Sequence, residues 1–327
     1  MKKFLFAALA AVTVLFASCD NPEPEPEPTP ANAVECGIYG IAWYGDYYQN
    51  GTVNYYVQLI QDLDNLDGAY VVFDLCAASK DIVGTYTASS NGTAGTFVIG
   101  DANGSGSCIM ELAEGSIEGD PVAIEDGTLV ISKEGTTYKV VYTSADGSVS
   151  YVGTGDVEIS NGAYPYESMD PTTFTANFTT VSATYKGNTG YGSDAYILVL
   201  DGAYYAMINM FAANGSSATE VPTGTYNGAT SQAANTFYPG FFYNSSFYPS
   251  VIAVLDDSGY VQQVWYMVGG SFTIGGSTGA YTISGTVTSG CGSQITLNYS
   301  GDITITDDSA AAPKMAPRAA NVLHVGK

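Results

Sequence analysis

From residue 33 onward, apolar and polar residues alternate along the chain in short runs separated by Gly, Asn, Asp and Ser. Examples are "NYYVQLIQD", "GAYVVFDLCA" and "SVIAVLDDSGYVQQVWYMV". Alternation with a period of two residues is typical of strands that bury one face, and no stretch of the body shows the period of a helix. The segments "KEGT", "ADGS" and "DDSG" predict tight hairpin turns, because Gly tolerates positive φ and Asp accepts hydrogen bonds from turn amides.

The strand pattern occurs twice. "LDGAY" is found at 66–70 and again at 200–204, and "GTYTASSNGTAGTFVIG" from Gly84 aligns without a gap with "GTYNGATSQAANTFYPG" from Gly224. Such self-similarity indicates a duplicated unit. The segment "NGAYPYESMD" lies between the two copies and is predicted to link them.

We therefore predict an all-β protein with two tandem, internally repeated antiparallel β domains, residues 33–162 and 170–307. Each domain is long enough to bury a core of its own. A β-sandwich and a partly open, calycin-like barrel would both produce this pattern, and the sequence does not choose between them. Closing the sheet would remove exposed strand edges.

Residues 1–18 have the pattern of a signal peptide. Lys2 and Lys3 precede an apolar run that is too short to cross a bilayer, which needs about 20 residues. Residues 19–32, "CDNPEPEPEPTPAN", alternate Pro with Glu. Fixed proline φ angles and repulsion between the glutamates favour an extended chain, so this segment is predicted to be a stalk.

The segment Phe16-Ala17-Ser18-Cys19 resembles the lipobox of bacterial lipoproteins, with Phe16 in place of the usual Leu. Together with the acidic stalk and the repeated "GTYT…TF…G" pattern, it makes the chain similar to the tandem β-domain surface lipoproteins of Bacteroidota. The resemblance implies that Cys19 is lipidated. It also implies an outer-membrane protein at the cell surface rather than the periplasmic face, touching the membrane through its lipid anchor only.

The chain is strongly acidic, with 32 Asp and Glu against nine Lys and Arg and a formal net charge of −23. A nucleic-acid-binding protein needs a basic surface, so we expect no nucleic-acid partner. The one histidine, His324, stands near the end of the chain, which excludes a Ser-His-Asp triad or a His-based zinc site in the body. We expect no cofactor and no enzymatic activity; a glycosidase with a carboxylate pair is a remote alternative.

The cysteines after Cys19 have no metal-binding spacing, and either two disulfides or free thiols fit them. These cysteines are Cys36, Cys76, Cys108 and Cys291. In "QDLDNLDGAY", Asp62, Asp64 and Asp67 form a weak calcium candidate. Leu66 stands where an EF-hand loop carries a ligand, so an acidic hairpin is the alternative.

Aromatic residues are the most prominent remaining feature, with 26 tyrosines. Tyr86, Tyr138, Tyr226 and Tyr281 recur in both copies and fit strand residues whose ring packs while the hydroxyl reaches water. Two clusters fit this description less well. The first cluster comprises Trp43, Tyr44, Tyr47 and Tyr48. The second cluster comprises Phe237, Tyr238, Phe241, Phe242, Tyr243, Phe247 and Tyr248.

Rings beside Ser, Gly and Asn are typical of contact surfaces that combine rigid area with adaptable hydrogen bonds. Both clusters are therefore candidate ligand-binding residues, and the second is preferred because it is longer than its repeat counterpart. Alternatively, the rings cap the open end of a barrel or seal the interface between the two domains. We expect a surface binding or adhesion protein that contacts glycans or host proteins, with a structural surface-layer or fimbria-associated component as the alternative.

The tail, residues 308–327, changes to Ala and Pro with scattered basic residues and is predicted to be disordered. Its segment "NVLHV" could instead add a strand at a sheet edge or be bound by a partner. Ser309, in "DSA", resembles the short O-glycosylation motif used in Bacteroidota, which makes it a candidate modification site.

Overall fold

A computed structural model describes residues 29–309 and the two-residue strand Leu323–His324. Cys19, the predicted signal peptide and most of the predicted stalk lie outside the described residues. The described part is built from strands, which confirms the all-β prediction. Within residues 29–309 there is no helix of the length and hydropathy needed to cross a membrane.

The first repeat contributes one sheet of 11 strands. They are β1 Val34–Gly45, β2 Val53–Asp62, β3 Asp67–Ala77, β4 Gly84–Ser89, β5 Thr96–Val98, β6 Cys108–Ala113, β7 Ser116–Ala123, β8 Thr128–Glu134, β9 Thr137–Thr143, β10 Ser150–Asp156 and β11 Ile159–Asn161.

The second repeat contributes a sheet of 10 strands and a separate sheet of three short strands. The larger sheet contains β12 Thr173–Asn188, β13 Ser193–Gly202, β14 Tyr205–Ala213, β15 Gly224–Gly228, β16 Thr236–Phe237, β19 Val251–Leu255, β20 Val261–Ser277, β21 Ala280–Ser289, β22 Gln294–Gly301 and β23 Ile303–Asp307. The small sheet contains β17 Phe241–Tyr243, β18 Ser246–Tyr248 and β24 Leu323–His324.

Both large sheets close into rings. In the first repeat the pairings run β1-β2-β3-β5-β4-β8-β9-β10 and return from β10 to β1. In the second repeat they run β12-β13-β14-β16-β15-β20-β21-β22 and return to β12. The tertiary structure thus selects the closed barrel over the sandwich that the sequence left open.

The pairings are mostly antiparallel, as the hairpin turns predict, but two contacts in each ring are parallel. The first strand runs parallel to the last strand of its ring, β1 with β10 and β12 with β22. The short strands β4 and β5, and likewise β15 and β16, are also parallel neighbours. The contacts of β1 with β10 and of β12 with β22 join segments that are more than 100 residues apart, which local turn signals cannot reveal.

The two repeats match residue by residue in the gapless segment that begins at Gly84 and Gly224. Gly95 and Asn235 both have positive φ, 77° and 63°. The N–H of Gly95 donates to the Cys76 carbonyl at 2.8 Å, and that of Asn235 donates to the Phe211 carbonyl at 2.7 Å. The same turn therefore closes the same part of each ring.

The two "LDGAY" segments, in contrast, are not at equivalent positions. Leu66 lies in a hairpin turn with φ of 53°, whereas Leu200 is a buried strand residue paired with Ala206. The counterpart of the Leu200–Ala206 pair in the first repeat is Leu59 with Val71. The register of each strand follows the alternation of buried and exposed residues along it, and not the identical residues at its turn.

Each ring encloses its own apolar core. In β3, Val71, Phe73 and Leu75 belong to the first core, while the intervening Asp74 points away from it. The second core contains Ile208, on the matching strand β14, together with other residues on β12–β16 and β20–β23. A third, smaller cluster lies outside the second ring, on the outer faces of β14, β19 and β20.

The recurrent tyrosines bond to protein groups instead of water. Tyr86 and Tyr226 are 3 % and 0 % exposed, and each hydroxyl donates to the carbonyl oxygen four residues earlier at 2.8 Å. The Tyr138 hydroxyl accepts from the Lys133 ammonium at 3.0 Å, and the Tyr281 hydroxyl accepts from a backbone N–H at 3.3 Å. The expectation that these hydroxyls reach water is therefore corrected, because burial requires a partner for each polar group.

The segment that links the repeats is fixed to the second ring by Glu167. This carboxylate is 4 % exposed and accepts hydrogen bonds from the backbone N–H groups of Tyr266, at 3.2 Å, and Cys291, at 3.0 Å. Burial raises the pKa of Glu167, although these hydrogen bonds oppose the shift. From the first ring, the Lys80 ammonium donates to the Met169 carbonyl at 2.8 Å, so the link is ordered at both ends.

The linker also covers a strand edge that remains bare in the first repeat. The Val264 N–H of β20 donates to the Tyr166 carbonyl at 3.2 Å. In β7, Pro121 adjoins Val122, which pairs with Ile109, and it has no N–H to offer to a covering segment. The pairings of the described strands leave one edge of β7 free. Pro121, with Glu118 and Asp120 exposed on the same strand, protects this edge against strand addition.

The four described cysteines are free thiols, so residues 29–309 contain no disulfide. Cys76 and Cys108 are buried, and Cys36 and Cys291 are half-buried. Burial raises the pKa of Cys36 to about 11, and burial with the nearby Glu167 charge raises that of Cys291 to about 11. The thiolate forms, which are the reactive ones, are therefore disfavoured.

We expect Glu167→Gln to destabilise the protein. The NH2 group of Gln would replace one carboxylate oxygen and face a backbone N–H. That N–H donor would be left unpaired, at a cost of about 1–3 kcal/mol. Thermal unfolding measured by circular dichroism should show a melting temperature lower by about 2–4 °C for each kcal/mol.

The matched control is Glu158→Gln, which makes the same chemical change on an exposed side chain. It should leave the melting temperature nearly unchanged. Equal shifts in the two variants would contradict the anchoring role of Glu167.

Candidate functional site

The structure uses most of the first aromatic cluster internally. Trp43 is 7 % exposed and belongs to the core of the first ring, with the Lys80 ammonium 5.9 Å from its ring centroid. Tyr44 covers Gly162 of the linker so closely that a side chain at that position would collide with its ring. Tyr47 is the one well-exposed member of the cluster, at 66 %. Trp43 therefore serves the core and Tyr44 holds the linker, and Tyr47 alone offers a well-exposed aromatic ring.

Tyr48, the last member, is engaged with a buried carboxylate on the outer wall of the first ring. Its hydroxyl donates to Asp74 at 2.6 Å, and the Asn54 side-chain amide donates to the other carboxylate oxygen at 2.6 Å. Asp74 is 2 % exposed, and burial raises its pKa against the opposing effect of these hydrogen bonds. Asn209 occupies the corresponding position in the second ring, where the charge is absent.

The three carboxylates of the calcium candidate lie in and beside the β2–β3 turn. Asp62 accepts hydrogen bonds from the backbone and the side-chain amide of Asn65, at 3.1 and 2.8 Å, within the β2–β3 turn. Across the part of the chain that is described, no three His, Cys, Asp or Glu side chains are grouped to hold a metal ion, and this includes Asp64 and Asp67. The segment is an acidic hairpin, the alternative stated for it.

The second aromatic cluster lies mainly in an insertion. The loop is bracketed in both barrels by a glycine that lies close to the backbone of a serine. The pair is Gly100 with Ser107 in the first barrel and Gly240 with Ser250 in the second. The first ring joins them by "DANGSG", and the second by "FFYNSSFYP". The Asp101 side chain organises the shorter loop by accepting two backbone N–H bonds, at 2.8 and 3.1 Å. The longer loop replaces this polar turn with a segment that contains five aromatic residues.

The inserted segment forms a hairpin, which we call the aromatic hairpin, residues 241–248. Its strands β17 and β18 pair Phe241 with Tyr248 and Tyr243 with Ser246. The two turn residues, Asn244 and Ser245, have φ of 47° and 56°. Positive φ at both positions is the geometry of a type I′ turn, for which Asn is well suited. The break in the aromatic run is thus a hairpin turn.

The inner face of the aromatic hairpin packs on the second domain. Phe247 is fully buried, and Phe242 lies 5.0 Å from it between ring centroids. The aromatic ring of the linker residue Tyr166 contacts those of Phe242 and Phe247, at centroid distances of 6.3 and 5.6 Å. Tyr266 of β20 lies behind Phe247 at 6.1 Å. These contacts make the hairpin a rigid extension of the barrel wall.

The outer face of the aromatic hairpin is open to solvent. Phe241 and Tyr248 stack across the two strands with ring centroids 4.7 Å apart and planes 3° from parallel. Phe241 is 41 % exposed and Tyr243, on the same face, is 59 % exposed. Alternation along the strands explains the division, since Phe242 and Phe247 occupy the opposite face.

The other two members of the second cluster have structural positions. Phe237 is fully buried in the core of the second ring, where it lies 5.7 Å from Phe272. Tyr238 is half-buried, and its carbonyl oxygen accepts a hydrogen bond from the Ser250 hydroxyl at 2.8 Å. Sequence proximity joined these two residues to the hairpin, but they do not share its outer face.

The stretch of chain that contains the aromatic hairpin has no charged residue. Residues 221–255 contain no Asp, Glu, Lys, Arg or His, although the chain as a whole has 32 acidic residues. The polar groups next to the exposed rings are the side chains of Asn244, Ser245 and Ser246. This surface can therefore stack on an apolar face and exchange hydrogen bonds without introducing a charge.

Ser309 is half-buried directly after the last strand of the second ring. Its backbone N–H donates to Asp307 at 2.9 Å, and its side chain packs at Gly187. The preceding residue, Asp308, forms an ion pair with Lys186 at 2.5 Å. The tail thus leaves the ring along an ordered path for these two residues, and residues 310–322 and 325–327 lie outside the described part.

Three residues that the structure shows to be important were not predicted from the sequence. Tyr166 and Glu167 belong to the linker, and Asp74 lies in an apolar strand. A signal existed for Asp74, because a carboxylate inside "YVVFDLCA" interrupts a run that is otherwise apolar. The roles of Tyr166 and Glu167 depend on contacts with β18 and β20, which the linker sequence does not encode.

We expect Asp74→Asn, which copies the residue of the second ring, to reduce the pH dependence of stability. Because the folded-state pKa of Asp74 is raised, its contribution favours folding at acidic pH and is lost as the pH rises through that pKa. Urea unfolding at pH 5 and pH 8 should therefore give midpoints that differ less in the variant than in the unmodified protein.

Asp101→Asn is the control with the opposite sign. Hydrogen bonds from the Ser105 and Asn103 backbones lower the pKa of Asp101, so its contribution is lost only as the pH falls below the usual range of aspartate. Between pH 5 and pH 8 this control should leave the pH dependence unchanged. An unchanged pH dependence in Asp74→Asn would refute the assignment.

No protein-family model, curated protein or solved structure matches the chain. Its function is therefore inferred from its own residues and from the differences between its two repeats.

Proposed function

We propose that the chain is a binding protein of the cell surface, and that the outer face of the aromatic hairpin contacts neutral glycans. The observation that carries this proposal is the asymmetry between the repeats. Where the first ring has a short polar loop, the second has an added hairpin with Phe241 and Tyr243 exposed. The ring closure is the same in both repeats, so the barrel does not require the added aromatic side chains.

The shape of this face suits a sugar ring. The C–H face of a pyranose stacks on exposed aromatic rings, and its hydroxyls exchange hydrogen bonds with amide and hydroxyl side chains. Tyr243 supplies an exposed ring, and Asn244 and Ser246 supply such polar groups beside it. The inner-face packing of Phe242 and Phe247 fixes the hairpin before binding, which limits the entropy lost on association.

The charge distribution favours a neutral ligand. An anionic glycan would approach a molecule with a formal net charge of −23, which opposes association. A cationic ligand would find no carboxylate to pair with in residues 221–255, so only the net charge of the whole molecule would attract it. An uncharged polysaccharide needs no charged partner and depends on stacking and hydrogen bonding alone.

We also propose that Cys19 carries the lipid anchor that holds this binding domain at the outer membrane. Support comes from the lipobox-like segment and the Pro/Glu stalk that follows it. Several acyl chains on one cysteine would make the attachment stable, since each buried methylene contributes about 0.8 kcal/mol.

We expect the double variant Phe241→Ser, Tyr243→Ser to lose glycan binding while remaining folded. Both side chains are exposed, so the cost in stability is limited to the lost Phe241–Tyr248 stack, about 0.5–1.5 kcal/mol. A screen of neutral glycans with the soluble body should identify a ligand, and calorimetry should then show affinity reduced by about tenfold or more.

Tyr47→Ser is the matched control, because Tyr47 is the exposed tyrosine of the first cluster. It should bind as the unmodified protein does. Unchanged binding in the double variant would sink the proposal, and so would a body that binds a protein partner but no neutral glycan.

For the anchor, we expect Cys19→Ser to release the protein from the membrane fraction of its native host. Intact-mass analysis of the unmodified protein should show acyl chains on a chain that starts at Cys19. A serine variant that stays in the membrane fraction would contradict lipid anchoring at this residue.

A further inference from the structure

The aromatic hairpin has a second feature, a strand paired along the edge of β18. The backbone of Leu323–His324 lies antiparallel to it, with Ser246 opposite His324 and Phe247 opposite Leu323. The other edge of β18 is taken by β17. A third strand thus completes a small sheet from a segment well over a dozen residues past the last strand of the ring.

The hairpin alone has reason to accept such a strand. Its two strands have three residues each, and isolated two-stranded hairpins are only marginally stable in water. Although the inner face is packed on the second domain, the backbone groups along an open edge of β18 would still lack partners. An added strand pairs them and removes an edge that could otherwise recruit foreign strands.

The composition of the tail fits an attachment to this body. Residues 310–327 carry Lys314, Arg318 and Lys327 and no Asp or Glu, whereas the chain as a whole has 32 acidic residues. Attraction between a basic segment and an acidic body favours their association and weakens with added salt. The 14 residues from Ser309 to Leu323 can span up to about 46 Å when extended.

We propose that the β18 edge is a strand-accepting site, and that its occupant is the C-terminal segment of the same chain. The site exists only in the second repeat, because the loop 101–106 of the first repeat forms no hairpin. This assigns the C-terminal segment a docking role that does not depend on any glycan ligand.

Peptide binding in trans tests the site. The body ending at Ser309 is titrated into a fluorescent peptide of residues 310–327, and anisotropy is recorded. We expect saturable binding that weakens as salt is raised. The peptide with Leu323→Pro should bind at least about tenfold more weakly, since proline removes a backbone N–H from the paired strand.

The matched control for the acceptor is a body in which residues 241–249 are replaced by the residues of 101–106. The first ring shows that this loop is compatible with the barrel, and circular dichroism verifies that the variant is folded. It should not bind the peptide. Equal binding by this variant, or by the proline peptide, would overturn the strand-accepting site.

The full-length chain decides whether the occupant comes from the same molecule. If its own segment fills the site, it should bind the labelled peptide at least about tenfold more weakly than the truncated body at the same protein concentration. Equally tight binding would overturn the assignment in cis. A dimer on gel filtration that disappears on truncation would show instead that a second copy supplies the segment.

Discussion

Each repeat depends on the double pairing of its first strand. β1 is held between β2 and the last strands of its ring, and β12 is held in the same way by β13, β22 and β23. This contact joins the two ends of a unit, turns a sheet into a closed ring and leaves few free edges. Only after closure do the alternating apolar residues of every strand face one common interior. The two cores and the hairpin all depend on this arrangement.

The edges that closure leaves over are treated in three different ways. The linker covers the edge of β20, with Tyr166 and Glu167 accepting its N–H groups. In β7, which has a free edge, Pro121 removes one backbone N–H. The backbone of Leu323–His324 pairs with β18. Such protection limits unwanted association, since free edges template pairing between chains.

The duplication separates structural requirements from functional ones. Features present in both repeats, such as the hydrogen bonds of Tyr86 and Tyr226, serve the ring. Features present in one repeat are candidates for a specific role, because an equivalent ring forms without them. The aromatic hairpin belongs to this second group. So does the buried carboxyl group of Asp74, whose equivalent in the second repeat is the neutral Asn209.

The all-β class, the duplication and the position of the linker could be predicted from the sequence, because two-residue alternation and turn residues are local signals. The sequence also indicated that the run from Phe237 to Tyr248 is interrupted, since Asn and Ser favour a turn. Tertiary structure decided what local signals cannot carry: the parallel closure of each ring, the burial of Trp43 and Phe237, and the exposure of Phe241 and Tyr243. Whether an aromatic ring faces a core or solvent depends on which strands meet across the sheet, and those contacts join residues far apart in the chain.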